Sequence, residues 1–131
     1  MEHHQSRAGR IRLGSGALVI GLLIALAPVA AHHGWGGYLD AEFELTGTLE
    51  TPVRVASPHA TMKVRSGEQV WDAVLAPPAA TISGGLKEGL IPVGAPVTLH
   101  GHRHSDPKRF EVKTERVTWN GRVFNVYPDR K

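Results

Sequence analysis

From residue 43 onward the hydrophobic positions fall in short alternating runs separated by turn residues, the pattern of half-buried strands in a small β-domain. Residues 43–55 predict a first strand, with Leu45 and Leu49 on one face and Thr46, Thr48 and Glu50 on the other. Ser57-Pro58-His59 interrupts it, since proline cannot donate to a ladder and holds its predecessor extended. Residues 60–65 predict a second strand with Ala60, Met62 and Val64 on the apolar face, and residues 69–75 a third. In the third, Asp72 shares the phase of Val70 and Val74, so a carboxylate buried there needs a partner. Residues 79–94 are ambiguous, because Gly84, Gly85 and Gly89 weaken a short helix. Two further strands are expected at 96–104 and 110–119. Asn120-Gly121 then marks a hairpin leading to a last strand at 122–127. The apolar phase slips between Phe110/Val112 and Val117/Trp119, which predicts a bulge near residues 114–116.

Three strands, a weak helical connection and two or three more strands is the order of an all-β, five- to six-stranded OB-fold-like Greek-key barrel. A small β-sandwich is the competing architecture. Residues 32–42, with Gly34, Gly36 and Gly37, read as an arm ahead of a barrel domain at 43–131, which Trp35 and Tyr38 would dock by burying aromatic area.

Residues 1–31 read as a signal peptide. Arg7, Arg10 and Arg12 precede an eleven-residue apolar run at 17–27, and small residues follow at Val29-Ala30-Ala31. The run is shorter than the roughly 20 residues that span a bilayer. Cleavage after Ala31 keeps Pro28 away from the scissile bond and makes His32 the first mature residue. A retained anchor is the alternative. The expected location is periplasmic or secreted, with no membrane attachment after cleavage.

Composition narrows the function. The 131 residues contain no Cys, which excludes disulfides, thiolate metal sites and thiol nucleophiles. Of 15 basic and 12 acidic residues, three and one lie in the leader, leaving the mature chain near +1 and giving no electrostatic case for nucleic acid. No serine-hydrolase elbow, phosphate loop, dinucleotide fingerprint or HExxH motif is present, so no catalytic residue is named.

Histidine is the clustered reactive residue. In the fourth strand His100, His102 and His104 alternate with Leu99 and Gly101 and so share the outward face. Neighbours at this spacing lie about 6.6 Å apart at Cα, within reach of one ion; all three together require a bend at Gly101. A solvated polar face is the plainer reading. With His32 at the N-terminus, its amine and ring chelate one ion, and His33 offers a chelate through amine, amide and imidazole. Such nitrogen-rich tetragonal sites suit Cu(II). His59, held in the Pro58 bend, connects the two clusters; a hydrogen-bonded turn residue is its plainer reading. Met62 falls in the core phase. Stacking on Trp71, Trp119, Phe124 or Tyr127 would instead serve a protein or glycan partner.

His32-His33-Gly34-Trp35 after a leader, Ser57-Pro58-His59-Ala60, Trp71 with Leu75-Ala76-Pro77-Pro78, and Gly101-His102-Arg103 together resemble a family of small exported proteobacterial proteins of unknown function. The resemblance spans residues 31–127 and implies a periplasmic OB-like domain. In plan the chain is also similar to small periplasmic copper-chaperone barrels, which bind through one His, two Met and a Trp; its mature part has the single Met62. The reading from sequence is an exported metal-binding barrel, with copper as its ion and His32, His33, His59, His100, His102 and His104 as candidate ligands. The alternative is a metal-free interaction module for a periplasmic protein or glycan.

Overall fold

The computed structural model describes residues 34–130. The chain divides between Ala31 and His32 into two units. The leader, His32 and His33 lie outside the described residues.

Six strands and one short helix form in the order β1 (Tyr38–Arg54), β2 (Thr61–Ser66), β3 (Gln69–Val74), α1 (Pro78–Ser83), β4 (Pro96–His104), β5 (Glu111–Trp119) and β6 (Arg122–Asn125). The sheet order is β3-β2-β1-β4-β5-β6, and β3 also pairs in parallel with β5 through Asp72–Glu111, Ala73–Val112 and Val74–Lys113. The sheet thereby closes on itself. Its connectivity, with the helix between β3 and β4, is that of an OB-fold-like Greek-key barrel, as the strand order predicts.

The long first strand serves two partners. Its N-terminal part pairs with β4 and its C-terminal part with β2, and the changeover falls at Gly47 and Thr48. A Cβ on Gly47 would meet the Arg65 carbonyl oxygen at 2.2 Å, so only glycine lets the strand curl here. Residues 38–42, expected in the glycine-containing arm, are the start of this strand. Two wet faces conceal a strand from a hydrophobic pattern.

Leu49, Met62, Leu99, Val117 and Phe124 fill the interior, while Thr81, Leu86 and Ile91 close it beneath α1. Proline at the first helical turn starts α1, and Gly84 and Gly85 end it. The third strand takes the opposite phase from the expectation: Trp71 and Ala73 face the core. Asp72 points outward and pairs with Lys63 across the ladder. Core space for the large indole decides that phase. Asn120 and Gly121 have φ of 50° and 74°, the left-handed turn that the Asn-Gly pair predicts.

The bulge lies where the phase slip places it. His100 pairs with Arg116 and Gly101 with Thr114, leaving Glu115 as the extra residue of β5. A Cβ on Gly101 would come within 1.9 Å of the Lys113 carbonyl oxygen, so β4 needs glycine opposite the bulge.

Candidate functional site

The bulge interrupts alternation, and Val112, Lys113, Thr114 and Glu115 are consecutively buried. Two of these are charged. Burying a charge is unfavourable unless it is paired and hydrogen-bonded, so the outer surface around Lys113 and Glu115 is the part of the described chain that packing alone does not account for.

Glu115 is paired. Its Oε1 accepts hydrogen bonds from His102 Nε2 at 3.2 Å and from Arg130 Nε at 2.6 Å. His102 donates through Nδ1 to the Leu39 carbonyl at 2.8 Å. Both ring nitrogens thus face oxygen atoms. Trp35 covers the group. Its ring lies edge-on to His102 at 5.6 Å and to Tyr127 at 5.1 Å, and the Arg130 guanidinium sits 3.8 Å from its centre. The segment after β6 is therefore held to β5 by one carboxylate, and its Arg130 lies in turn against Trp35 of the segment before β1.

Lys113 lies beside this clasp. Its Nζ is 5.5 Å from the Trp35 ring centre and 5.7 Å from that of Tyr127. Burial pushes its pKa below the ordinary lysine value, and Glu111 offsets part of that shift. His59 lies within the field of this ammonium: burial first, and Lys113 second, hold its ring below the ordinary histidine value. Burial raises Tyr127.

The strand histidines keep the shared outward phase expected of them but are not brought together on one ion. His100 faces Glu44 at 3.4 Å. His102 is held in the clasp, where ligation of an ion would require breaking its contact with Glu115. His104 accepts the Asp106 backbone N–H through Nδ1 at 3.0 Å and stacks edge-on to Tyr38 at 5.3 Å. Among the described residues, no group of three or more His, Asp or Glu side chains is placed to hold a metal ion. His59 has no side-chain hydrogen bond among the described residues and feels the charge of Lys113.

Lys113, Glu115 and Arg130 were not distinguished by sequence. The phase slip at 114–116 was the available signal: a bulge carries a residue with no opposite partner, and here that residue is a carboxylate. Arg130 gives no pattern of its own. Comparison with known proteins returns no matching family model and no matching curated protein.

Proposed function

We propose that residues 1–31 export the chain, that cleavage follows Ala31, and that the mature protein carries or buffers a transition-metal ion, copper by the chemistry of its ligands. The ligands are the amine and ring of His32, His33, and the ring of His59. The observation that supports this reading is the anchoring of Trp35 beside Lys113, because Lys113 also neighbours His59. A residue of extended chain spans at most about 3.6 Å, so the two histidines just ahead of Gly34 are tethered within reach of this end of the barrel. Nitrogen donors in a tetragonal set favour Cu(II) over the other divalent ions. His100, His102 and His104 stand outside the set, since their neighbours already engage them.

Calorimetric titration of the chain beginning at His32 tests this. One tight Cu(II) equivalent is expected, weakened about tenfold or more in His59→Ala. Binding unchanged when His32 and His33 are both replaced by alanine would reject the assignment.

A second reading, an interaction module for a glycan or protein, has one observation in its favour. Phe110 is 38% exposed, stacks edge-on to Trp71 at 5.2 Å, and shares with it the Arg103 guanidinium. An exposed aromatic braced this way beside β3 is a stacking platform of the kind OB-folds use. Loss of glycan or peptide binding in Phe110→Ala, with copper binding absent, would favour it.

A further inference from the structure

The C-terminal part of β1 is irregular against β2. Thr51 stands opposite Lys63 and Arg54 opposite Thr61, and β1 carries an extra residue in each interval flanking Thr51. Bulges of this kind bend the strand that they lengthen. At the bend the Thr51 hydroxyl accepts the Lys63 backbone N–H at 3.1 Å. Glu88, in the connection between α1 and β4, accepts the Val55 backbone N–H through Oε1 at 2.8 Å. Residues of β1, β2, β3 and this connection line a groove of about 830 Å³, within the roughly 300–1,000 Å³ of small-ligand clefts. Its walls are polar: Arg54, Thr61, Lys63, Asp72 and Glu88 line it and are all exposed. Lys63 and Asp72 stand directly opposite on β2 and β3 and form an ion pair, their side chains 47% and 57% exposed.

The groove presents two cations and two carboxylates, so a ligand of either net charge is attracted by one pair and repelled by the other. Along the groove β2 is paired on both edges, with β1 and with β3, and offers no backbone edge to an added peptide strand. A ligand meets side-chain donors and acceptors instead. The Lys63 ammonium has three N–H donors and the Asp72 carboxylate accepts on both oxygens, so each keeps capacity beyond the bond between them. A hydroxyl can donate to Asp72 and accept from Lys63 at once, leaving that ion pair intact. Pro52 adds an exposed apolar surface to the same groove. We propose that the groove binds a short neutral oligosaccharide, its hydroxyls bridging Lys63 and Asp72 and meeting Arg54 and Glu88, with the C–H face of a sugar ring against Pro52. The site shares only its ligand class with the second reading above; it uses neither Phe110 nor any histidine and requires no metal.

The test uses protein produced from the full chain, titrated with the neutral trisaccharides maltotriose, cellotriose and chitotriose, and with trialanine as a peptide of similar length. The backbone amide resonances of Thr51, Val55, Thr61 and Lys63 are followed by NMR. At least one trisaccharide should shift them to saturation, and trialanine should not. Asp72→Ala should weaken that binding about tenfold or more, the effect of losing a hydrogen bond to a charged group. Thr98→Ala, on β4 outside the groove, should leave it unchanged. Shifts that never saturate with any of the three sugars, saturation by trialanine instead, or an affinity unaltered in Asp72→Ala overturn the proposal. Shifts at Phe110 and Trp71 with none in the groove overturn it too, and leave the stacking platform standing. If Asp72→Ala does not fold, Thr61→Val decides in its place: weakening of about threefold supports the groove, and unchanged affinity rejects it.

Discussion

Glu115 and His102 meet at 3.2 Å across the β4–β5 ladder because β5 carries one residue more than β4 at that point. The extra residue turns a carboxylate toward a strand face that ordinary alternation would give to its neighbours. With Arg130 on the same oxygen, the carboxylate ties the tail after β6 to β5, and Arg130 lies against Trp35 at the start of the barrel.

Removal of that carboxylate should loosen both ends. Glu115→Ala leaves His102 without its acceptor and Arg130 without its anchor, and we expect a loss of about 2–3 kcal/mol, toward the lower end for a broken buried pair because Arg130 is partly exposed. Urea denaturation measures it. Paired with Arg130→Ala in a double-mutant cycle, the two losses should fall short of additive by at least about 0.5 kcal/mol, and the Trp35 signal should shift in both single variants.

Gly101 is the second weak point. Its Cβ position is filled by the backbone of Lys113, which cannot rotate aside as a side chain does. Gly101→Ala should cost about 3 kcal/mol or unfold the domain, whereas Thr98→Ala, on the same strand with a half-buried hydroxyl, should stay within about 1 kcal/mol. Thermal melts of the two variants provide the comparison.

Acid should remove the contribution of Glu111. Burial alone would raise its pKa, but the hydrogen bonds from Tyr38 and Arg109 outweigh it and hold the carboxyl below its ordinary value of 4.5. A depressed folded-state pKa stabilises the fold above the unfolded value, and that stabilisation disappears as pH falls through the folded value. Glu111→Gln should therefore cost about 1 kcal/mol at pH 6 and close to nothing at pH 2, read from urea midpoints at the two pH values.

The barrel was legible because its determinants are local. Alternation placed the strands, Asn120-Gly121 set the last hairpin, and the phase slip located the bulge. The register of β3 was not legible, since Val70, Trp71, Ala73 and Val74 offer apolar side chains to both faces and only the barrel interior selects Trp71. The clasp was less visible still. Glu115, His102, Trp35 and Arg130 lie far apart in sequence, and nothing in a one-dimensional pattern brings a tail arginine to a strand carboxylate. The histidines were conspicuous by type, but type did not reveal that His102 and His104 have hydrogen-bond partners inside the fold.

Metal binding through imidazoles should compete with protons. Cu(II) affinity is expected to fall as pH drops through about 6.5, where histidine rings begin to take up protons in place of the ion. Calorimetry at pH 7.5 and 5.5 gives the comparison, and equal affinity at the two pH values would point away from histidine ligands.

The most direct measurement is electron paramagnetic resonance of the Cu(II) complex, made once on the chain beginning at His32 and once with a single glycine ahead of it. The account predicts a tetragonal signal with nitrogen hyperfine structure in the first, and loss or rearrangement of that signal in the second, because the terminal amine has moved away from its ring. An identical spectrum from both chains, or no specific signal from either, would contradict it.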